Sequence, residues 1–375
     1  MKRSSESPNI TELIFSFQTG GSERIGQEIA RYLHSSGHDV TVCATHGGPG
    51  PVSELLEKEG IPWFQASSLG GDRFRKAICL FNYFRRIRCD ILHVHHFNML
   101  SVALAPARLA GVSRIVITEH SNFRLRTDPR TLRRARKYAR RADAITVVHG
   151  GLERFVHERL DVGEVPVTVI PNGVDTQLYS PGPPDDSLAL PHTGETRSPV
   201  RICSVGRLHP DKDHLNLLRA IARMRTAGTS EFVLYLVGEG AERESIEKYI
   251  SEQALGEFVY LLGDRADVRE ILRNVDIFAL SSRSEGLPVA LLEAMSTGLP
   301  SVVTDVGGVA DALKDGGGLV VPPKNPEALA RAITQLVDDG GLRTRMGAAA
   351  RGSAVSRFDR SIMFSCYEDL LLQAV

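Results

Sequence analysis

The chain has 375 residues, about two to three times the length of a typical single domain, which predicts two domains. With 42% hydrophobic and 24% charged residues, its composition is that of a soluble globular protein. The 45 basic side chains balance the 45 acidic ones, which argues against any partner that requires a strongly charged protein, provided that the charge is evenly spread.

The cysteines and the hydropathy indicate a cytoplasmic protein. The five cysteines are widely separated and form no C-x-x-C pair, so neither a disulfide framework nor a thiolate zinc site is predicted. The N-terminal residues lack the apolar core of a signal peptide, and no apolar run approaches the roughly 18 residues of a spanning helix. A peripheral position on the inner face of a membrane stays open.

The first half of the sequence alternates short runs rich in Val and Ile with longer amphipathic stretches. This pattern is typical of a parallel sheet covered by helices. Strands are predicted at 10–17, 39–44, 61–65, 90–95, 114–119, 144–148 and 167–170. Helices are predicted at 22–35, 73–88, 98–110, 129–141 and 151–160.

A second α/β block follows residues 176–199, which contain five of the 19 prolines and show no hydrophobic period. Its strands are predicted at 200–205, 232–237, 258–262, 276–280, 301–304 and 318–321. Its helices are predicted at 213–227, 241–254, 266–273, 288–297, 308–314, 326–338 and 361–373.

The fold class that these elements predict is α/β, with two doubly wound Rossmann-like domains facing each other across a cleft. The predicted organisation is an N-terminal domain at 1–180, a linker at 181–199, a C-terminal domain at 200–355 and a final helical segment at 356–375 that packs back on the first domain. In open α/β sheets ligands bind at the carboxyl ends of the strands, so function is sought in the loops that follow strands.

The zero net charge is a cancellation between the two halves. Residues 1–175 hold 24 basic and 18 acidic side chains, and the remainder holds 21 and 27. The segment Phe123–Asp143 has nine Arg or Lys against two Asp, and Arg73–Arg88 interleaves six basic residues with apolar and aromatic ones. These stretches are either solvated helix faces or a surface for anionic lipid headgroups or a pyrophosphate-bearing acceptor. No nucleic-acid partner is expected.

A glycine turn follows the first predicted strand. Gly20 and Gly21 precede a helix that Ser22 is predicted to cap, so backbone N–H groups and a helix N-terminus together form a plausible phosphate contact. The turn matches neither G-x-G-x-x-G nor the Walker pattern, which leaves little support for a dinucleotide or P-loop site. A purely structural turn remains the alternative.

The second block begins with a strand followed by Arg207 and Lys212. A guanidinium and an ammonium at the carboxyl edge of a sheet are suited to a diphosphate, because Arg engages two oxygens at once and Lys supplies a mobile charge. Gly238 and Arg265 lie directly after the next two strands and are candidates for the walls of a nucleotide site.

The segment 276–308 is the most specific part of the sequence. Glu285 lies in the loop after a strand, Pro288 suits the first turn of the helix that Gly298 ends, and Glu293 lies about a turn and a half into that helix. Both carboxylates are therefore predicted to face one cleft. The backbone N–H groups of Gly286 and Leu287, at the positive end of the helix, are predicted to meet a phosphate.

These motifs occur in order along nearly the whole chain, and together they resemble the retaining nucleotide-sugar glycosyltransferases of family 4, whose two-Rossmann-domain architecture is termed GT-B. The matching segments are GGSER at 20–24, IPNGVD at 170–175, VGRLHPDKD at 205–213, VGEG at 237–240, LLGD at 261–264 and E-G-L-P-x4-E at 285–293. The Arg-x4-Lys and Glu-x7-Glu elements are the most specific.

The resemblance implies a role for each matching residue. Arg207 and Lys212 would bind the donor diphosphate and stabilise the leaving nucleotide, where negative charge grows as the glycosidic bond breaks. Glu285 would contact hydroxyls of the donor sugar, and Glu293 would hydrogen-bond the ribose. Gly20 and Gly21 would face the diphosphate from the other domain. His120 would lie near the sugar, between donor and acceptor.

Three further histidines end the strand before that of His120. Alternation places His93 and His95 on one face of the strand and His96 beyond it, so a metal site is conceivable. No carboxylate neighbours them in sequence, however, and the family pattern needs no metal, so neither a metal nor another cofactor is expected. Contact of His95 or His96 with the acceptor is a secondary hypothesis.

The resemblance therefore implies transfer of a sugar from a nucleoside diphosphate donor, most commonly a UDP-sugar, to an acceptor hydroxyl with retention at the anomeric carbon. Such hexosyltransferases commonly use a sugar or lipid-linked acceptor in the synthesis of envelope polysaccharide or glycolipid. Two alternatives stay open: a nucleotide-sugar epimerase of the same architecture, and a non-catalytic protein that binds nucleotide sugars.

Overall fold

The computed structural model describes residues 7–18, 20–66, 73–185, 188, 190–191, 199–229 and 232–373. The chain divides into two compact units, Met1–Asn172 with Ser361–Val375, and Gly173–Arg360. Most of the predicted linker at 181–199 lies outside the described residues. So do residues 67–72.

The first unit is built on a parallel sheet with the strand order β3-β2-β1-β4-β5-β6-β7 among the described residues. Its strands are β1 (Ile10–Ile14), β2 (Val40–Ala44), β3 (Trp63–Gln65), β4 (Ile91–His95), β5 (Arg114–Glu119), β6 (Ala144–Val147) and β7 (Val167–Val169). In register, Ile10 of β1 pairs with Val40 on one side and with Ile91 on the other.

The helices of the first unit connect these strands, and the last helix in the chain, α15, also belongs to this unit. They are α1 (Gly21–Ser35), α2 (Pro51–Lys58), α3 (Arg73–Ile87), α4 (Phe97–Ala110), α5 (Phe123–Thr127), α6 (Pro129–Ala139), α7 (Gly150–Arg159) and α15 (Arg360–Leu372).

The second unit contains a second parallel sheet, and the strand order of its described part is β10-β9-β8-β11-β12-β13. Its strands are β8 (Val200–Val205), β9 (Phe232–Val237), β10 (Val259–Gly263), β11 (Ile277–Leu280), β12 (Ser301–Thr304) and β13 (Gly318–Val321). Its helices are α8 (His214–Thr226), α9 (Arg243–Glu252), α10 (Val268–Arg273), α11 (Val289–Thr297), α12 (Val309–Ala312), α13 (Pro326–Asp338) and α14 (Gly340–Arg357).

The strands form because their side chains are apolar on both faces, as a sheet with helices on both sides requires. β9 is buried along its whole length, and its side chains pack with those of α8 and α13 in the core of the second unit. β1 is equally buried, but it carries the charged residue Glu12 at its centre. The prediction of two doubly wound Rossmann-like domains is confirmed.

The first predicted strand was too long. β1 ends at Ile14 because the next carbonyl groups accept hydrogen bonds from loop residues instead of a neighbouring strand. Phe15 O accepts from His46 N at 2.8 Å, and Phe17 O accepts from Val52 N at 3.1 Å. The residues after Ile14 thereby form a loop at the carboxyl edge of the sheet.

At two helix starts, a residue that the sequence analysis singled out takes a different position from the predicted one. α1 begins at Gly21 with Gly20 as its N-cap, and Ser22 lies inside the helix, where its hydroxyl donates to Glu23 Oε2 at 2.9 Å. Pro288 is the N-cap of α11, one position before the first helical residue. As predicted, Gly298 ends α11; it adopts a left-handed conformation with φ of 85°.

Helices α2, α5 and α14 were not predicted. α14 has 18 residues, but four of them are glycine, which weakens both helix propensity and hydrophobic period. The packing explains one of these glycines, because a Cβ at Gly347 would overlap the carbonyl oxygen of Gly298.

The boundary between the units differs from the predicted limit at residue 180. The segment after Asn172 belongs to the second unit, in which Val174 pairs with Asp359. Tyr179 O accepts a hydrogen bond from the Ser296 hydroxyl at 2.5 Å. None of the described helices is long and apolar enough to cross a membrane.

Candidate active site

The order of the strands reverses at one point in each sheet, between β1 and β4 in the first unit and between β8 and β11 in the second. At such a point neighbouring strands send their connections to opposite faces of the sheet, which leaves a crevice outside their carboxyl ends. The glycine turn follows β1, Arg207 and Lys212 follow β8, and Glu285 follows β11. The predicted residues therefore lie in the loops where this fold binds ligands.

Two glycines position Arg207. Gly238 and Gly240 have φ of 135° and 159°, and a Cβ on either residue would overlap the carbonyl oxygen of Gly206 or Leu208. The loop after β9 therefore runs directly along the loop after β8, and Leu208 N donates to Glu239 O at 2.9 Å. The Arg207 side chain is exposed, and its guanidinium has no hydrogen-bond or ion-pair partner among the described residues.

Lys212 is held close to Glu285. Its Nζ donates to Glu285 Oε1 at 2.6 Å, and the two side chains are only 20% and 10% exposed. The Ser282 hydroxyl donates to the same carboxylate oxygen, also at 2.6 Å. Lys212 and Glu285, which lie 73 residues apart in the sequence, thus form an ion pair between the loops that follow β8 and β11.

A second ion pair fixes these two loops. Arg283 donates through Nε and Nη2 to the two carboxylate oxygens of Asp213, at 2.7 and 3.0 Å. The Ser281 hydroxyl donates to the carbonyl oxygens of Lys212 and Asp213, each at 3.0 Å. Asp213 itself has φ of 48°, an uncommon conformation for a residue other than glycine, and these contacts hold it.

A third loop, which follows β12, packs against the turn that carries Glu285. Gly307 has φ of 62°, and a Cβ there would overlap the carbonyl oxygens of Glu285 and Gly286. Gly308 N donates to Gly286 O at 2.7 Å. Gly286 and Leu287 are buried, as is Glu293 in the second turn of α11. The prediction that both carboxylates face one cleft stays a prediction.

Arg265 has a partner within its own loop. Its Nε and Nη2 donate to the two oxygens of Asp267, the N-cap of α10, at 2.7 and 2.5 Å. A donor-binding role for Arg265 would have to compete with this bidentate pair.

In the first unit, the glycine turn leads directly into α1. Arg24 N donates to Gly20 O at 2.9 Å and closes the first turn of α1. A Cβ at Gly20 would overlap the carboxylate of Glu23, whereas one at Gly21 would meet nothing within 4 Å. The Glu23 carboxylate is the far end of a flexible side chain and can move aside, so the atoms around the turn require neither glycine.

A buried carboxylate joins the histidines of β4. Glu12 of β1 and His93 and His95 of β4 are at most 1% exposed. His93 Nδ1 and His95 Nε2 each lie 2.8 Å from Glu12 Oε2. Burial alone would raise the pKa of Glu12, but the hydrogen bonds and charges of the two histidines lower it to about 2.

The same group reaches His120, which follows β5. His95 Nδ1 lies 2.8 Å from His120 Nε2, and their rings are stacked with centroids 5.1 Å apart. Burial lowers the pKa of His95 to about 4, and the charge of His93 contributes to this shift. Burial also holds the pKa of His120 well below its usual value of 6.5. The two rings are therefore uncharged at neutral pH.

His96 belongs to a separate pair. Its Nδ1 lies 2.6 Å from Glu119 Oε1, and its backbone has the uncommon φ of 83°. Burial lowers the pKa of His96, but the Glu119 carboxylate outweighs that effect and the net shift is upward. The other Glu119 oxygen accepts from Phe97 N, so the pair also fixes the start of α4.

The sequence prediction missed Glu12 and Glu119 as partners of the histidines. Neither is close to its histidine in sequence, since Glu12 lies 81 residues from His93. For Glu12 the available signal was a charged residue at the centre of a predicted buried strand, because such a residue is buried only when paired; Glu119, at the end of β5, carried no such signal.

Two family profiles match the chain. The profile described as Glycosyltransferase Family 4 matches residues 19–178, and the one described as Glycosyl transferases group 1 matches residues 192–353. The two matches divide the chain much as the two sheets do.

Similar proteins extend over nearly the full length. The UDP-Gal:alpha-D-GlcNAc-diphosphoundecaprenol alpha-1,3-galactosyltransferase of Escherichia coli is 26% identical over 95% of this chain and 94% of its own. The N-acetyl-alpha-D-glucosaminyl L-malate synthase of Bacillus anthracis is also 26% identical, over 94% and 93%. The crystal structure of Anabaena HepE in complex with UDP and glucose has a TM-score of 0.84 at 22% identity, covering 98% of this chain and all of HepE, a likeness of fold.

Proposed function

The chain belongs to the group 1 glycosyltransferases, and we propose that it transfers a hexosyl group from a nucleoside diphosphate donor to an acceptor hydroxyl with retention at the anomeric carbon. The observation that carries the proposal is the set of charged groups at the switch point of the second sheet. There Arg207 has no partner within the described protein, and Lys212 is paired with Glu285.

These groups match the electrostatic demand of the reaction. When the bond between sugar and diphosphate breaks, negative charge grows on the leaving phosphate, and cations already in place stabilise it without reorganising. Arg207 supplies an uncompensated guanidinium that can bind two phosphate oxygens. Lys212, with its neighbouring carboxylate, supplies a second cation that Glu285 orients.

We propose that Glu285 binds hydroxyl groups of the donor sugar and that Glu293 binds hydroxyl groups of the ribose. A carboxylate oxygen accepts a hydrogen bond and therefore selects a hydroxyl over a phosphate. Glu285 has one oxygen engaged by Lys212 and Ser282, which fixes the direction of the other.

A uridine diphosphate donor is supported by the similar proteins. The name of the Escherichia coli relative gives UDP-Gal as its donor, and HepE binds UDP and glucose in its crystal structure. The same relative acts on a diphosphoundecaprenol-linked sugar. On this basis we propose a UDP-hexose donor and a sugar or lipid-linked acceptor in the synthesis of polysaccharide or glycolipid.

We propose that retention follows from attack on the face from which the diphosphate leaves, with the leaving phosphate taking the proton of the acceptor hydroxyl. Glu285 then orients hydroxyls and forms no covalent intermediate. Arg207 and Lys212 supply the positive charge that a divalent ion would supply elsewhere, so the reaction is proposed to need no metal. Addition of EDTA is expected to leave the rate unchanged.

An anionic membrane surface is proposed as a further partner of the first unit. On α3, Phe74 and Ile78 lie one turn apart and are 72% and 46% exposed, and the same helix carries the exposed Arg75, Arg85 and Arg86. Exposed apolar side chains on a helix that also carries exposed cations are typical of helices that lie on anionic membranes. This supports work at the inner face of a membrane, where a lipid-linked acceptor would be found.

Binding of nucleoside diphosphates tests the proposal. Thermal unfolding is measured with UDP, GDP, ADP and TDP and with the matching nucleotide sugars, for the wild-type protein and for an Arg207→Met variant. A ligand at 100 times its dissociation constant raises the free energy of unfolding by about 2.7 kcal/mol. This increase should be smaller in the variant. No response to any of the ligands would contradict both the transferase and the two alternatives, epimerase and binding protein. Product analysis separates these three: glycosylated acceptor, isomerised donor, or neither.

A further inference from the structure

We infer that Glu12 and His95 are positioning residues that fix the tautomer of His120, with the ring hydrogen on Nε2 and an unshared electron pair on Nδ1. The chain of hydrogen bonds lies within the first unit. The inference rests on the proposed function only for the task of that ring, which is contact with the donor sugar.

The chain of donors begins at Glu12. With its pKa lowered to about 2, this carboxylate is ionised at neutral pH and can only accept hydrogen bonds. Both ring nitrogens at 2.8 Å from it must therefore donate, so His93 carries its hydrogen on Nδ1 and His95 carries its hydrogen on Nε2. The other nitrogen of His93, Nε2, lies 2.7 Å from the Thr118 hydroxyl oxygen.

The tautomer of His95 determines the tautomer of His120. A neutral imidazole has one donor and one acceptor nitrogen, and Nε2 of His95 is already the donor. Its Nδ1 must accept, and the atom that lies 2.8 Å away is Nε2 of His120. His120 therefore carries its hydrogen on Nε2, and its Nδ1 holds a lone pair.

The surroundings of His120 agree with this tautomer. Its Nδ1 is buried and has no hydrogen-bond partner among the described residues. An unpaired buried N–H is rarer and more costly than an unpaired acceptor, so the hydrogen belongs on the nitrogen that has a partner. Burial and the rings of His95, His96 and His93 all lower the pKa of His120, which keeps it neutral. The two carboxylates in this group form no hydrogen bond with the His120 ring: Glu12 is hydrogen-bonded to His95, and Glu119 is hydrogen-bonded to His96 and to the backbone N–H of His120.

The consequence is a chemical selectivity at Nδ1. Because Nδ1 is buried, a ligand reaches it only when a neighbouring group moves, and the group that then bonds this nitrogen must bring a hydrogen, as a sugar hydroxyl does and an ionised phosphate oxygen does not. The arrangement parallels the way a carboxylate sets the tautomer of a histidine in hydrolase triads, with one imidazole inserted between them.

A metal ion at the same residues would have the opposite effect. One ligand atom from each of Glu12, His93 and His95 lies within 4.8 Å of the others, so a cation could in principle join them. If His95 bound a metal through Nε2, its hydrogen would move to Nδ1 and be donated to His120, whose own hydrogen would then lie on Nδ1. The tautomer of His120 therefore distinguishes the two arrangements.

The tautomers are measured by two-bond ¹⁵N–¹H correlation spectra of full-length protein labelled at its 12 histidines, at pH 7.5. Signals are assigned by comparison with His93→Gln, His95→Phe and His120→Gln variants, and the metal content of the sample is determined in parallel. The expected result is hydrogen on Nδ1 of His93 and on Nε2 of both His95 and His120. Hydrogen on Nδ1 of His120, or a protonated ring, overturns the inference.

Two matched variants test the route from His95 to His120. His95→Phe keeps a ring stacked on His120 but removes the acceptor, so His120 is expected to show a mixture of tautomers. Thr118→Val removes a hydrogen bond at an equally buried position of the same group, on the branch that leads to His93. It is expected to leave His120 unchanged, and equal disturbance by both variants would contradict the assigned route.

Activity separates positioning from a structural role. His95→Phe is expected to lower kcat at least about tenfold, with a smaller change in KM for the donor, and to have no further effect in a His120→Ala background. Additive losses would mean that His95 does not act through His120. If the wild-type protein transfers no sugar while the spectra show the expected tautomers, the proposed function fails and the hydrogen-bond chain stands.

Discussion

Removal of Lys212 is predicted to impair both stability and activity, whereas removal of Arg207 is predicted to impair activity alone. In Lys212→Met, the Glu285 carboxylate, which is only 10% exposed, loses the Nζ donor at 2.6 Å and keeps only Ser282. An underpaired, largely buried carboxylate costs about 1–3 kcal/mol. Arg207 is exposed and has no partner in the described protein, so Arg207→Met should change stability by no more than about 0.5 kcal/mol.

Both variants are expected to lose about 10²–10³-fold in kcat, the usual cost of removing one group that stabilises developing charge. Stability is measured by urea unfolding, and kcat by release of the nucleoside diphosphate. Arg219→Met is the control, because this arginine is also exposed in the second unit but lies on α8, away from the strand ends. Wild-type kcat/KM in Arg207→Met would contradict the proposed role of this arginine, and wild-type stability in Lys212→Met would contradict the importance of its ion pair with Glu285.

Three further predictions concern backbone, pH and membrane. Gly238→Ala should destabilise the second unit by several kcal/mol and weaken donor binding, because the new Cβ would overlap Gly206 O and the residue has φ of 135°. The control is Gly256→Ala, whose new Cβ meets open space and which should change the unfolding free energy by less than about 1 kcal/mol. Equal effects of the two variants would contradict the close approach of the loops after β8 and β9. Burial lowers the pKa of His214 to about 4, so the unfolded chain binds protons more readily between pH 6.5 and 4 and stability falls as the pH drops through that window. This residue alone accounts for about 2 kcal/mol between pH 7 and 5, and His214→Gln should flatten the measured pH dependence by that amount. Phe74→Glu on α3 should reduce sedimentation with phosphatidylglycerol vesicles at least about fivefold, while Leu109→Glu, at a side chain 76% exposed on α4, should not; equal loss in both would indicate non-specific adsorption.

Elements whose signals are local could be predicted from the sequence. β9 and β12 were predicted at their observed bounds because apolar runs of that length, limited by turn residues, are typical of buried parallel strands. The end of α11 was predicted because helices commonly end at a glycine in the left-handed conformation, as Gly298 does. α14 was not predicted because its four glycines weaken the helical signal, and the close approach of Gly347 to Gly298 that explains one of them is not visible in any local pattern.

The site shows the same limit. Arg207, Lys212 and Glu285 could be selected because each follows a strand, but the ion pair between the last two depends on β8 and β11 being neighbours, which is a matter of topology. The histidines were recognised as a group, yet Glu12 was not, because its role depends on the register that places it opposite His93. Contacts between distant segments had to come from the structure.

The central claim is that the chain transfers sugar from a nucleoside diphosphate. The most direct measurement is to incubate it with UDP-hexoses and a lipid-diphosphate-linked sugar, and to determine the product and its anomeric configuration by NMR. We expect equimolar UDP and glycosylated lipid, with the configuration of the donor retained and with turnover lost in the Arg207→Met, Lys212→Met double variant. An inverted product would contradict the proposed retention, and full turnover by the double variant would contradict the assigned site.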